Sequence, residues 1–225
     1  MRGRELVSVV VPTYNRAGFI CDAIASIRAQ GDDDVEIVIV DDGSTDDTER
    51  VVAAKDTKVT YVRLEHGGVS AARNGGVLIA RGQLVAFLDS DDLWPDGSLE
   101  RRRAHLDQHP DVDIVYGRSR IRHIGKVRKR FGLHDEDEPL LIPMLGSMLC
   151  RRSVFDRVGL FDETLEHAED VDWLARMKDG NIATSEIDDV TLEYRIHDGN
   201  MTLEVDRNQA FLLRALKKSL DRRRR

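Results

Sequence analysis

Four short β-branched runs, at 7–11, 36–40, 59–63 and 84–88, alternate with segments of helical length through the first half of the chain. No other feature restricts the fold as much. The runs are too continuously apolar to face water on either side, and such runs suit central, mostly parallel strands covered by helices on both faces. The fold class is therefore α/β, with a mixed, mostly parallel central sheet flanked by helices. Phe19, Ile20, Ala23, Ile24 and Ile27 form one helical stripe that Gly31 stops. Ser44 is placed to cap a second helix, with Asp46 and Asp47 in its first turn, where negative charge suits the helix dipole.

Beyond Asp92 the rhythm loosens. Helices are expected at 99–108, 171–178 and, as an amphipathic last element, about 205–220; strands are expected at 112–116, near Met148, and at 182–187 and 191–196. The 225 residues carry 41% hydrophobic and 33% charged side chains, which excludes a disordered or fibrous chain. No apolar run approaches the roughly 20 residues of a membrane helix, so a cytoplasmic protein is expected. Cys21 and Cys150 match no zinc or disulfide spacing and are read as small buried hydrophobes.

The net charge of −7 speaks against a surface built for nucleic acid, although basic clusters stand at 101–103, 126–130 and 222–225 and acidic ones at 32–34 and 135–138. For the basic stretch 118–130 and the arginine tail a solvated face is preferred to a nucleic-acid footprint. The arginine tail is also suited to peripheral contact with an anionic membrane.

Open α/β sheets bind ligands outside the carboxyl ends of their strands. Three such ends carry polar sets: Pro12-Thr13-Tyr14-Asn15-Arg16, Asp41-Asp42-Gly43-Ser44 and Asp89-Ser90-Asp91-Asp92. Each alone is ordinary turn chemistry. Together, Asp89 and Asp91 can present two carboxylates to one hard divalent cation that also accepts diphosphate oxygens. Neither a G-x-x-x-x-G-K-[ST] loop nor a G-x-G-x-x-G turn after the first strand is present, and the Gly- and Arg-rich signature of nucleotidyltransferases is missing as well.

The segments VVVPTYNR, VDDGSTDDT, GGVSAARNGG, FLDSDD, HAEDVDWLAR and YRIHDGNMT, in this order and spacing, resemble the inverting family-2 glycosyltransferases of GT-A fold. The resemblance runs from about Val7 to Thr202. It implies one GT-A domain over 1–225, with a Rossmann-like nucleotide-sugar-binding half at 1–98, an acceptor and catalytic half at 99–203 and a C-terminal helix with basic tail at 204–225.

By that resemblance, Pro12, Tyr14 and Asn15 contact the nucleotide, with Tyr14 either stacked on the base or packed. Asp42 meets the base edge and Asp41 supports it. A carboxylate accepts the imide N–H of uracil, which favours a UDP-sugar, while dTDP- and GDP-sugars stay open. Arg73 corresponds to the family's basic residue near the diphosphate. Asp91 would ligate Mn2+ or Mg2+, Asp89 would meet the ribose or the metal's water shell, and His197 would reach the metal or the diphosphate. Asp170 takes the general-base position, against the plainer reading of a helix cap. Glu169 and Trp173 are candidates for the acceptor side, with packing the preferred role for Trp173. The acceptor, a glycan, glycolipid or other hydroxyl compound, would meet the segment 117–145.

Overall fold

A computed structural model describes residues 4–124, 138–200 and 205–223. The expected basic stretch at 126–130, most of the acidic one at 135–138, Thr202, Arg224 and Arg225 lie outside the described residues. Seven strands form one sheet in the order β3-β2-β1-β4-β6-β5-β7. The strands are β1 (Val7–Thr13), β2 (Val35–Asp41), β3 (Thr60–Arg63), β4 (Leu84–Phe87), β5 (Ile114–His123), β6 (Met148–Arg151) and β7 (Thr184–Ile196). All neighbouring pairs are parallel except those of β6, which runs antiparallel to β4 and β5.

The helices are α1 (Ile20–Arg28), α2 (Thr48–Lys55), α3 (Val69–Ile79), α4 (Ser98–Gln108), α5 (Ser153–Val158), α6 (Glu169–Asp179) and α7 (Val205–Arg223). Alternation along β1 sends its side chains to two cores. Val7, Val9 and Val11 pack with Ile20, Ile24 and Ile27 of α1 and Leu99 and Leu106 of α4. Val10 faces the other way, toward Val77 of α3, Phe155 of α5 and Trp173 and Met177 of α6. A half-buried strand period thus becomes a sheet covered on both faces.

Two expectations are corrected. Ser44 does not cap α2, which begins at Thr48; its hydroxyl accepts the Asn15 amide at 2.8 Å instead. The strands expected at 182–187 and 191–196 are one strand, β7. Its pairing with β5 shifts register between Tyr116 and Ser119, where extra β7 residues including Asp188 and Asp189 are accommodated. Gly117 permits this, since a Cβ there would stand 2.5 Å from the Asp189 carbonyl oxygen. Within the basic cluster at 101–103, on α4, Arg102 and Arg103 are buried, at 0% and 3% exposure.

Arg103 pairs with Asp32 at 2.9 Å. Arg102 has no carboxylate beside it; its guanidinium lies 4.2 Å from the Trp94 ring centroid and donates to the Met148 carbonyl at 2.9 Å. Burial pushes its pKa down to about 9. Of the cysteines, Cys150 is buried, its thiol pushed up by burial to about 12, and Cys21 is half-buried.

The seat of α3 on β1 is set by Gly76, where a Cβ would come within 2.2 Å of a Val10 methyl. Gly76→Ala gains about 1 kcal/mol of helix propensity, but overpacking a filled core costs about 1–3 kcal/mol and often distorts the backbone. The variant should unfold at a lower urea concentration than the parent, and an unchanged or higher midpoint would contradict this packing.

Candidate active site

The chain leaves β1 toward β2 and β3 on one side, while β4 forms on the other, so strand order reverses between β1 and β4. Loops leaving the carboxyl ends at such a point diverge and open a crevice. From β1 come Tyr14, Asn15 and Arg16; from β4 comes the run Asp89–Asp92. Asn15 sits in the left-handed region at φ 51°, a conformation asparagine tolerates. Its side-chain oxygen accepts the Thr45 amide at 2.8 Å, bracing the β1 loop against the loop after β2.

The acidic run is met by cations from three separate elements. Asp91 Oδ2 accepts from Arg16 Nε and from His197 Nε2, each at 3.0 Å. Arg16 also donates to the Gly199 carbonyl at 2.9 Å, so one guanidinium ties the β1 loop, the acidic run and the turn after β7. The Gly199 amide donates to His197 Nδ1 at 3.1 Å, an arrangement that leaves the ring proton on Nε2 and aims it at Asp91. The His197 ring stacks on Phe19 with centroids 4.4 Å apart. Arg195 donates its backbone N–H to Asp92 at 2.8 Å and its side-chain Nε to the Asp91 carbonyl. A bridge between Leu93 and Glu193 fixes this register. Burial, with Asp89 and Asp91 beside it, pushes the Asp92 carboxyl well above the usual range.

Arg73, on α3 and 5% exposed, forms the second centre. It donates to Asp89 Oδ1 at 2.9 Å and to Glu169 Oε1. Burial works against its charge, yet the carboxylates of Asp89, Glu169 and Asp170 raise its pKa. Burial raises the Glu169 carboxyl, opposed by Arg73 and reinforced by Asp170. Ala168, at φ 58°, makes the left-handed turn that starts α6 with Glu169 and Asp170 in its first turn, where the helix dipole favours them. Asp170 is half-buried, and its Oδ1 accepts the Val171 amide at 2.8 Å.

Several expected contacts are rearranged. Pro12 is buried within β1, so it shapes the strand end and offers no ligand surface. Asp41 is wholly buried, accepting from the Ser44 amide at 2.8 Å and from the Tyr61 hydroxyl. Asp42 is turned inward, accepting from the Gly67 and Gly68 amides at 2.7 and 2.9 Å, with His66 Nδ1 2.8 Å away. It holds the glycine loop instead of presenting an open edge to a base.

Arg73 is likewise paired with two carboxylates. Glu169 is its buried partner. Trp173 is 0% exposed, stacked between Phe155 and Phe161, with Nε1 donating to the Gly159 carbonyl at 3.0 Å, and forms no acceptor wall. Tyr14 does stay open, 40% exposed, with its ring stacked on His66 at 4.4 Å. Arg16 was missed as a site residue; its place directly after Asn15 at a strand end was the available signal.

Among the described residues no three His, Cys, Asp or Glu side chains gather as a metal cage. Asp89 is turned to Arg73, and His197 donates to Asp91. Asp91 Oδ2 is engaged by Arg16 and His197, so a divalent cation held there would take their place. Magnesium and manganese sites commonly need only one or two carboxylates, with phosphate oxygens and water completing the shell.

Residues 8–159, more than half of the chain, match the sequence family described as "Glycosyl transferase family 2". The chain belongs to that family. The WfgD protein of Escherichia coli, named a UDP-Glc:alpha-D-GlcNAc-diphosphoundecaprenol beta-1,3-glucosyltransferase, is 28% identical over 202 residues, covering 88% of this chain and 79% of WfgD. The structure of S. aureus TarS 1-349 in complex with UDP-GlcNAc superposes with a TM-score of 0.71 at 26% identity, over 87% of this chain and 60% of TarS 1-349.

The mannosyltransferase PcManGT from Pyrobaculum calidifontis, solved with GDP-Man and Mn2+, shares the fold with a TM-score of 0.72 at 22% identity, over 98% of this chain and 65% of that one. The chain thus has the GT-A fold of this family, with its mixed seven-stranded sheet. It spans 66% and 30% of the lengths of two rickettsial relatives that it matches.

Removing the cation from a buried ion pair leaves the carboxylate uncompensated, at about 3–5 kcal/mol. Arg73→Met should therefore destabilise the fold, and more at pH 8 than at pH 5. In that variant the folded Glu169 carboxyl titrates above its unfolded value of about 4.3, so stability is lost as pH rises from that value through the folded one. Adding Glu169→Gln should recover much of the loss. Urea unfolding at both pH values checks this; equal destabilisation at the two would contradict the pairing.

Proposed function

We propose that this glycosyltransferase moves a sugar from a nucleoside-diphosphate sugar to a hydroxyl group of its acceptor with inversion at the anomeric carbon. The observation that carries the reading is the convergence, at the β1/β4 strand ends, of Asp91 held by Arg16 and His197 with the Arg73–Glu169 centre that adjoins Asp170. The first group suits the anionic leaving group and the second the proton acceptor.

Asp170 takes the acceptor hydroxyl proton as its oxygen attacks the anomeric carbon, while the bond from that carbon to the diphosphate oxygen breaks and its electron pair leaves with the diphosphate. No second group stands out as a nucleophile for a covalent sugar intermediate, so a single displacement and inversion follow. Asp91 is the residue to hold Mn2+ or Mg2+, which when bound neutralises the charge developing on the diphosphate. His197 orients Asp91, and Asp89 stays near the ribose, aimed by Arg73. Asp42 shapes the base pocket by fixing the loop at Gly67 and Gly68, Asp41 supports it by holding Ser44 and Tyr61, and the open face of Tyr14 is the stacking surface.

A uridine donor is supported by the likeness to the UDP-GlcNAc complex of TarS. A lipid-linked sugar as acceptor is supported by the name of WfgD. The single-domain organisation over 1–225 is part of the same proposal.

UDP-sugars with Mn2+ should raise the melting temperature, and Asp91→Ala should abolish the metal-dependent part of the rise. Asp170→Asn should bind the sugar nucleotide as the parent does and lose transfer by on the order of 100- to 10,000-fold, in kcat. Proton NMR of the product checks the stereochemistry: a retained anomer, or full activity in Asp170→Asn, would reject the mechanism. A rise with GDP-sugars alone would reject the uridine donor.

A further inference from the structure

Helix α7 is attached to the rest of the protein by its polar side. Ala215 and Ser219, 1% and 7% exposed, lie against the protein, and ion pairs fasten them there: Lys218 with Asp162, Arg222 with Asp172 at 2.8 Å and Arg223 with Asp179 at 2.9 Å. The leucines point away. Leu213 is 68% exposed, Leu220 55%, Leu216 47% and Leu212 38%. At 3.6 residues per turn these four fall within one arc of about 100° that opens about 20° past Ser219, with Arg223 inside it. Isolated exposed leucines are ordinary, but a continuous stripe of them marks a contact surface. Lys217 and Arg214 are exposed along one border of the stripe, with Asp221 the exposed acid near them.

We infer that this leucine stripe is an interfacial membrane contact that seats the enzyme on an anionic bilayer. Apolar side chains bordered by Lys and Arg are what the boundary between acyl chains and acidic headgroups takes up, with the helix lying in the interface plane. No helix among the described residues is long and apolar enough to cross a membrane, so the contact lies on the bilayer. The same stripe on a second copy is a poorer occupant, because stripe-to-stripe pairing brings the two Lys217–Arg214 borders together.

The position of α7 gives the contact a use. Its Phe211 ring packs on His167, centroids 5.5 Å apart, in the loop that leads into Glu169 and Asp170. A bilayer under α7 therefore lies beside the acceptor side of the site and favours an acceptor carried on a lipid. That last step rests on the proposed transferase reaction; the membrane contact does not.

Sedimentation of the full chain with vesicles tests it, using phosphatidylcholine alone and phosphatidylcholine with a fraction of phosphatidylglycerol. Binding is expected to the mixed vesicles, to weaken with salt, and to fall on the order of tenfold or more in L213S/L216S/L220S. Arg214→Glu with Lys217→Glu should remove the salt-sensitive part, which keeps the test decisive where the triple variant folds poorly. Absence of binding by the parent chain, unchanged binding by both variants, or a dimer in light scattering that the triple variant dissolves would overturn the inference. Thermal shifts with UDP and Mn2+, run alongside, separate the two proposals: vesicle binding without nucleotide binding would reject the transferase reading alone.

Discussion

Asp89, Asp91 and Asp92 stand within four residues at the end of β4, and the rest of the site is arranged around their mutual repulsion. Each is answered from a different part of the chain: Asp89 by Arg73 of α3, Asp91 by Arg16 of the β1 loop and His197 beyond β7, Asp92 by the Arg195 backbone. The compensation also closes the fold. Arg195 and the Leu93–Glu193 bridge draw the end of β7, at the far edge of the sheet, across to the β4 loop. Without that crossing, His197 would lie strands away from Asp91. A cluster of carboxylates is costly in any dielectric below that of water, and here the cost is met by groups that carry the site's geometry.

The two centres differ in how they treat charge. Around Asp91 the partners are side chains with room to exchange, since Arg16 and Asp91 keep 21% and 14% of their side-chain surface. Around Arg73 only the Glu169 side is sealed, with 6% and 9% left on Arg73 and Glu169, while Asp89 keeps 40%. A diphosphate with its cation can compete for the first set. In the proposed mechanism the second has to hold its shape while the neighbouring Asp170 takes up the acceptor proton. Preorganisation of this kind is worth more than added contacts, because nothing has to reorient as charge develops.

The strands of the first half were legible because buried parallel strands write themselves as apolar runs, and the motif order placed the strand ends correctly. What escaped was the direction of individual side chains. Asp42 resembles a residue facing ligand, yet the two glycine amides within its reach satisfy it internally. Arg102 and Arg103 resemble a basic surface because a sequence carries no mark of a Trp94 face or a Met148 carbonyl waiting inside. The acidic pair Asp188-Asp189 reads as a loop between two strands, whereas the shift in register against β5 lets a single strand carry it. In each case a long-range partner decides, and local propensity holds no record of it.

The same limit applies most strongly to α7. Its heptad-like leucines read from sequence as an amphipathic last helix, and the ordinary inference turns such a stripe inward. Burying one leucine is worth about 1.5–3 kcal/mol, more than exposed ion pairs return at about 0–1 kcal/mol each. Two features oppose the inward choice. The surface that α7 meets carries Asp162, Asp172 and Asp179, and Asp172 is only 1% exposed, so a leucine stripe there would strip a buried carboxylate of its Arg222 and leave it with Arg176 alone. Taking one of two cations from a buried carboxylate works against the gain from burying leucine. The acids of α6 and of the loop before it thus select the basic face of α7 and turn its leucines outward, so the outward stripe is a consequence of how this fold balances charge.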